Sequence, residues 1–302
     1  MNIDELAEKA EANFHKHLVE NSYPGRGIVI GCDPGENPIL IYWIMGRSSN
    51  SRNRLFNLNP EGGLKTEAAD SSLLEDPSLI IYNAVLPSKQ GFLVTNGDHT
   101  DRILAKMGNG KTFLEAMHDE KHEPDPPNFT PRIAGLMTLE ASELKIELAL
   151  ACKSSFSSEI SEVHYHHIPI VKKGFGFCIT TYMKDGGPLP HFQSNPLLMP
   201  IKTQSSDLAD EFWNALDHEN RVSLSLLTTT GTFPASIEWE IRNAAAGHAR
   251  RGVEDVRMGR VRLFRHIVES VTVMEEFASM ATPRARVKRG AEPRARKHFV
   301  EV

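Results

Sequence analysis

The sequence is poor in cysteine. Its 302 residues include three cysteines, Cys32, Cys152 and Cys178, and no two of them have C-x-x-C spacing. An odd and widely spaced set supports neither a disulfide framework nor a zinc ribbon. The sequence therefore predicts a protein of a reducing compartment.

Long hydrophobic runs are also missing. The longest apolar run, PILIYWIMG at 38–46, is far shorter than the roughly 20 residues that a membrane-spanning helix needs. The first twenty residues alternate charged and apolar side chains and lack the continuous apolar stretch of a signal peptide. We therefore expect a cytoplasmic protein without a membrane partner.

Common motifs of nucleotide-binding proteins and hydrolases are absent as well. The sequence contains no G-x-G-x-x-G, no Walker loop and no G-x-S-x-G, so the usual dinucleotide, nucleoside triphosphate and α/β-hydrolase functions lack support. His118 and His122 have i, i+4 spacing but no H-E-x-x-H pattern. We therefore predict no metal site.

Charge is distributed unevenly along the chain. Residues 251–302 carry 12 basic and 7 acidic side chains, a net charge of +5, which leaves −10 for residues 1–250 of a chain whose total is −5. Such a basic tail can contact nucleic acid or an acidic partner. Aromatic residues are almost absent from it, with only Phe299 near the basic run, so a solvated tail is favoured over RNA binding.

The apolar periodicity predicts strands in runs with helices mainly at the two ends, which is typical of an α+β fold in layers. The predicted strands are 27–33, 38–46, two strands within 79–97, 132–139, 144–152, 161–171, 174–183 and 221–229. The predicted helices are 3–18, 112–120, 206–217 and 254–280, and the whole pattern beyond 235 is helical. We divide the chain into a cover helix at 1–23, a domain at 24–250, which the resemblance described below identifies as catalytic, and a helical extension with a basic tail at 251–302.

Three polar segments are candidate sites. Residues 46–54 hold three arginines among Ser and Asn, which suits a cradle for phosphate or carboxylate but also an ordinary polar loop. The turn at 95–101 contains Asn-Gly and either holds donors over a ligand or ends a hairpin. Acids and histidines at 118–123 offer a carboxylate that can act as a general base.

Seven blocks follow one another between about residues 24 and 235: GRGIVIG, ILIYWIMGRSSNSRNR, IIYNAV, LVTNGDHTDRI, FTPRIAGLM, GFGFCITTY and GGPLPHF. In this order they resemble the archaeal-type IMP cyclohydrolase family. The resemblance implies an Ntn-hydrolase-like α+β sandwich with four layers, α-β-β-α, formed by antiparallel sheets. The N-terminal helix and the predicted C-terminal helices are additions to it.

The same resemblance implies a reaction on a small molecule, a purine nucleotide precursor. 5-Formamidoimidazole-4-carboxamide ribotide (FAICAR) closes to inosine monophosphate (IMP) and loses water. The amide nitrogen attacks the formyl carbon, so the reaction needs a phosphate anchor, a group that deprotonates the amide, and donors at the developing oxyanion. Neither a metal nor a redox cofactor is required.

The resemblance also implies roles for individual residues. Arg47 and Arg52 are assigned to the monophosphate or the carbinolamine oxygen, and Arg26 assists them. Tyr82 is expected to donate a hydrogen bond to the reacting oxygen, and Glu120 to serve as general base or proton shuttle. Asn96, Gly97 and His99 are expected to contact the base or ribose. Arg132 is either a ligand of the substrate or the ion partner that positions Glu120.

The sequence departs from the family pattern at Ser49, Asn50 and Asp119. These departures keep open a related enzyme that acts on another nucleotide-like amide. The basic tail keeps open a second alternative, a nucleotide- or RNA-binding protein without catalysis. Self-association through the apolar face predicted at 254–280 is a further possibility.

Overall fold

The computed structural model describes residues 2–74, 77–140, 143–203, 205–230, 236–244 and 256–263. Within these ranges the strands are β1 Gly27–Cys32, β2 Pro38–Met45, β3 Leu55–Leu58, β4 Leu64–Glu67, β5 Asn83–Ser88, β6 Gly91–Thr95, β7 Arg132–Glu140, β8 Glu143–Lys153, β9 Ser161–Ile168, β10 Phe175–Thr180, β11 Leu197–Pro200, β12 Arg221–Thr230, β13 Ser236–Asn243 and β14 Val256–Leu263. The helices are α1 Ile3–Phe14, which continues as a π-helical turn His15–Val19, α2 Ser49–Arg52, a 3₁₀ turn Ser71–Leu73, α3 Pro77–Ile80, α4 His99–Gly108, α5 Phe113–Met117 and α6 Ser205–Ala215.

The strands form two antiparallel sheets of seven strands each. The first sheet has the order β11-β10-β1-β2-β12-β13-β14, and the second has the order β3-β4-β5-β6-β7-β8-β9. Nearly every residue of the central strand β2 is buried, which explains why its sequence is a continuous apolar run rather than an alternating one. The mixed α+β class that the sequence predicts is therefore confirmed.

Helices cover the outer face of each sheet. On the first sheet, α1 packs on β11 and α6 packs on β12 and β13; on the second, α4 packs on β5 and β6, and α5 packs on β8. The two sheets face each other, with β1 against β7 and β12 against β3. The main core lies between the sheets and extends beneath α1 and α6, whereas a smaller core lies beneath α4 and α5.

The sequence prediction fails beyond residue 235. The segment predicted to be helical contains the strand β13, and the helix predicted at 254–280 is wrong over β14, which pairs with β13. The reason is a period of two: Ile237, Trp239 and Ile241 are buried and alternate with polar residues, which favours a half-buried strand over a helix. The remainder of the predicted C-terminal helices and the basic tail lie outside the described residues.

Strand ends from both sheets meet at one end of the sandwich. In the first sheet β1 begins at Gly27, opposite Thr180 of β10 and Trp43 of β2. In the second sheet β5 begins directly after Tyr82, and β6 ends directly before Asn96. The candidate residues of the resemblance therefore collect at this end.

Gly25 allows the chain to enter β1 beside the segment that follows β10. Its φ is +75°, and a Cβ atom there would lie 2.1 Å from Thr181 Oγ1 and 2.6 Å from Tyr182 Cδ2. We expect Gly25→Ala to lower the free energy of unfolding in urea by more than the ~1 kcal/mol that backbone strain alone costs. Gly110→Ala is the control, because Gly110 also has a positive φ but has open space around it. Equal losses in the two variants would contradict the steric explanation.

Candidate active site

A pair of tyrosine hydroxyls lies between the sheets at the end where the strand termini meet. Tyr42 of β2 and Tyr82, directly before β5, approach each other with 2.9 Å between their hydroxyl oxygens. Tyr42 is completely buried and Tyr82 is 6% exposed. Burial and the neighbouring Tyr82 raise the pKa of Tyr42 well above its usual value, so its hydroxyl stays protonated and remains a hydrogen-bond donor.

Arg26 and Glu123 form an ion pair beside these tyrosines. Arg26 Nη1 lies 3.6 Å from Glu123 Oε1, and the two side chains are 15% and 17% exposed. Burial lowers the pKa of Arg26, but the charge of Glu123 and the nearby tyrosines outweigh it and raise that pKa overall. The Nε atom of Arg26 is buried and has no hydrogen-bond partner among the described residues.

Arg54 is the second guanidinium of this group. It lies directly before β3 and is 5% exposed, and its Nε and Nη1 atoms have no hydrogen-bond partner among the residues that the structure describes. Burial lowers its pKa, and the charge of Arg26 lowers it further. We call Arg26, Tyr42, Arg54, Tyr82 and Glu123 the tyrosine–arginine cluster.

The cluster carries an excess of positive charge. It contains two guanidinium groups and one carboxylate, and some of its buried N–H groups are unpaired. Buried polar groups are normally hydrogen-bonded, so unpaired ones indicate a place that a ligand completes. The arrangement can bind an anion or an oxygen that acquires negative charge.

Arg47 lies outside the cluster and has protein partners. Its Nη1 lies 2.5 Å from Asp185 Oδ1, and its guanidinium carbon lies 4.8 Å from the centre of the Tyr23 ring. Tyr23 stacks on Tyr182, whose hydroxyl lies 2.6 Å from Thr130 Oγ1. Arg47 is 39% exposed, so it is accessible from solvent.

Arg52 fastens a loop. Its Nε donates to the carbonyl oxygen of Gly46 at 2.8 Å, and its Nη2 donates to Asn220 Oδ1 at 3.3 Å. These bonds connect the segment after β2 to the segment before β12. The structure therefore does not bring Arg47 and Arg52 together on one empty site, although the sequence spacing suggested it.

The Asn-Gly turn after β6 is held by the segment around the start of β7. Asn96 is 1% exposed; its Nδ2 donates to Pro131 O at 3.0 Å and its Oδ1 accepts from Ile133 N at 2.8 Å. A Cβ atom on Gly97 would lie 3.0 Å from Arg132 Nη1. Glycine therefore permits the close approach of that arginine.

His99 is fixed in one tautomer by this turn. Its Nε2 lies 3.3 Å from Ile133 O and donates to it, whereas its Nδ1 accepts from Arg132 Nη1 at 2.9 Å. Arg132 also pairs with Asp98. Asn96, Gly97, His99 and Arg132 thus form one connected unit, in which Arg132 is bonded to Asp98 and His99 rather than to Glu120.

Burial and then the charge of Arg132 lower the pKa of His99 from 6.5 to about 3. The unfolded chain therefore binds the proton more readily, so the stability that neutral His99 provides is complete above pH 6.5 and is lost as the pH falls toward 3. Between pH 7 and pH 5 the loss is about 2 kcal/mol, at about 1.36 kcal/mol per pKa unit. We expect His99→Gln to reduce this pH-dependent loss in urea unfolding. The exposed His218 provides the control His218→Gln, which should retain it.

Glu120 is bound to α4. It is 4% exposed and accepts from Arg102 Nη2 at 2.8 Å and from Lys106 Nζ at 3.2 Å. Asp119 is 63% exposed and lies 3.7 Å from Lys106. Glu123, three residues further along the chain, is the carboxylate that contacts Arg26 in the cluster.

Of the predicted residues, the cluster brings Arg26 and Tyr82 together. It also includes Tyr42, Arg54 and Glu123, which the sequence reasoning missed as site residues. Arg54 and Glu123 fall within polar segments that the sequence did single out. Only the three-dimensional contacts distinguish them from their neighbours.

None of the described helices combines the length and the apolarity that crossing a bilayer requires. Over the same described ranges, no three His, Cys, Asp or Glu side chains are grouped so that they could hold a metal ion. The three cysteines are free and buried.

Two comparisons with known proteins give the same result. A family model described as IMP cyclohydrolase-like protein matches residues 23–232. A protein of Haloarcula marismortui named IMP cyclohydrolase is 27% identical over 128 residues, which represent 40% of this chain. The match spans 57% of the length of that relative. The family match includes every residue of the tyrosine–arginine cluster.

Proposed function

The chain belongs to the IMP cyclohydrolase-like protein family, and from this premise we propose that it catalyses the closure of FAICAR to IMP with loss of water. The observation that carries the proposal is the tyrosine–arginine cluster, a buried and net positive site with unpaired N–H donors beside a hydroxyl pair. The order of layers, α-β-β-α, supports the finer assignment of an Ntn-hydrolase-like fold.

The chemistry requires two proton movements. The carboxamide nitrogen attacks the formyl carbon and gives up one proton, and the electron pair of the carbonyl moves to the formyl oxygen. That oxygen accepts two protons in turn and leaves as water, while the former formamide nitrogen loses its hydrogen and forms a C=N bond, so the two protons that the nitrogens lose are the two that the oxygen gains. A base for the amide and a donor for the oxygen therefore suffice.

The contacts of Glu123 and Tyr82 support these two roles. Glu123 is the carboxylate that pairs with an arginine of the cluster, and the positive charge of Arg26 at 3.6 Å orients it. The Tyr82 hydroxyl is held by Tyr42, so it can donate to the formyl oxygen without reorganisation. Glu120, held by α4, remains the alternative base.

The phosphate is assigned to the outer side of the cluster. Arg47 is partly exposed there, and its present partner Asp185 is 45% exposed, so a phosphate group can replace that carboxylate. Surface ion pairs of this kind contribute little stability. The turn with Asn96, Gly97, His99 and Arg132 remains the proposed contact to base or ribose, and Arg52 supports the loop that carries Arg47.

The partner of the chain in this proposal is a small molecule, in the cytoplasm, where purine precursors are made. The test is ring closure of FAICAR by the purified protein. The reaction is monitored by its absorbance change, and the product is identified as IMP. The matched control is the unformylated ribotide, which has no carbon to close on. A rate no higher than that in buffer would refute the proposal, and a higher kcat/KM for another formamido amide would favour the related-enzyme alternative.

A further inference from the structure

Resting on the proposed function, we infer that Arg54 is a further catalytic residue, whose unpaired guanidinium binds the formyl oxygen as it becomes negatively charged. None of the sequence patterns singles out this arginine from its neighbours. Its assignment comes from the contacts that it makes and from those that it lacks.

The other buried arginines show what is unusual about Arg54. Arg242 is 2% exposed. Its Nε atom lies 2.7 Å from Asp210 Oδ1, and its Nη1 atom lies 3.1 Å from Glu240 Oε2. Arg26 has Glu123. Arg54 is buried to a similar degree, yet two of its nitrogens lack a hydrogen-bond partner in the described part of the chain.

A buried and incompletely paired charge destabilises the protein that carries it. Such a group is expected where a bound molecule completes its hydrogen bonds. Active sites commonly contain residues of this kind, which lower the stability of the ligand-free protein. The ligand-free protein is therefore expected to become more stable when the charge of Arg54 is removed. A purely structural arginine gives the opposite result.

The position of Arg54 favours an oxygen of the reacting group over the phosphate. Arg54 is 5% exposed and interacts electrostatically with Arg26, Tyr42, Tyr82 and Glu123. A phosphate dianion in so enclosed a place would lose most of its hydration. The formyl oxygen is uncharged in the substrate and acquires charge only during attack, so donors that already point at it stabilise the transition state more than the substrate.

In this step the carboxamide nitrogen forms a bond to the formyl carbon, and its proton passes to a carboxylate, proposed to be Glu123. The electron pair of the carbonyl moves to the formyl oxygen, next to Arg54. Arg54 itself gives up no proton. It holds the charge until Tyr82 protonates the oxygen to a hydroxyl group. The proton on Glu123 then passes to this hydroxyl, which leaves as water, while the former formamide nitrogen forms the C=N bond and its proton restores Tyr82.

The experiment compares Arg54→Met with Arg242→Met in the full-length protein. Without ligand, we expect Arg54→Met to raise the melting temperature and Arg242→Met to lower it. With FAICAR, we expect Arg54→Met to reduce kcat about 100-fold with little change in KM, in line with the loss of an oxyanion donor. Arg54→Lys retains the positive charge but not the planar set of guanidinium N–H donors. We expect its melting temperature to equal that of the wild type and its kcat to be much lower.

Two results would overturn the inference. One is a melting temperature that falls in Arg54→Met as it does in Arg242→Met, which indicates a structural arginine. The other is a raised KM with unchanged kcat, which indicates a phosphate contact.

If the wild type does not close FAICAR, the proposed function fails, but the anion site is still tested. Sodium formate should then raise the melting temperature of the wild type and not that of Arg54→Met.

Discussion

Glu123→Gln is expected to lower kcat for FAICAR closure by about 10²- to 10⁴-fold, the usual contribution of a positioned general base. The glutamine keeps the size of the side chain and can still accept a hydrogen bond from Arg26, so the fold should be retained. It has no group that takes the amide proton.

Glu120→Gln separates the two carboxylates of this segment. Glu120 is 4% exposed and accepts from Arg102 and Lys106, so its replacement should lower the melting temperature more than Glu123→Gln does, because both cations lose a charged partner. Its effect on kcat should be the smaller of the two. Measuring kcat and melting temperature for both variants distinguishes them, and the reverse order would make Glu120 the base.

Tyr82→Phe is expected to lower kcat by about 10²- to 10³-fold, because one hydrogen-bond donor to the developing oxyanion is lost. The change removes a single oxygen, and the ring keeps its packing. Tyr42→Phe removes the hydroxyl that lies 2.9 Å from the Tyr82 hydroxyl, and it should cost less because Tyr42 orients the donor. Both variants are compared by steady-state kinetics with FAICAR.

The double variant provides the sharper readout. Since the two hydroxyls act as one unit, the loss in the double variant should be close to that of Tyr82→Phe alone, not the product of the single losses. Additive losses would show that the hydroxyls act separately. An unchanged kcat in Tyr82→Phe would remove the tyrosine from the mechanism.

Much of the fold could be predicted from local patterns. The hairpin of β1 and β2 follows from two apolar runs around a Pro-Gly turn, and α1 follows from its helical periodicity. The helix α4 was missed because Asn-Gly-Asp signals a turn and because His99 and Thr100, though polar in sequence, are buried. The segment beyond 235 was assigned to the wrong class because helical and strand periods were not distinguished at Ile237, Trp239 and Ile241.

The candidate site was only partly predictable. Arg26 and Tyr82 were found through the ordered motifs, since each lies within a recognisable block. Arg54 and Arg52 stand two residues apart in the same polar segment, but one has unpaired buried nitrogens and the other bonds to Gly46 and Asn220. Whether a polar group is satisfied depends on tertiary contacts, so no sequence pattern separates these two arginines.

The charge of the site could not be predicted from the net charge of the sequence either. Residues 1–250 carry a net charge of −10, yet the tyrosine–arginine cluster within them has an excess of one positive charge. Attraction of an anionic substrate to this cluster is therefore local, because exposed charges are screened over about 10 Å at ordinary ionic strength while buried ones are screened far less. The average charge of the chain gives no indication of it.

A crystal structure of the protein with IMP bound would test the central claim most directly. We predict that the purine ring lies in the tyrosine–arginine cluster, with the Arg54 guanidinium and the Tyr82 hydroxyl facing the carbon that carried the formyl oxygen and with Glu123 facing the ring nitrogen that closed the ring. The phosphate should lie toward Arg47. A purine ring bound against Glu120 and α4, with the cluster empty, would contradict the account.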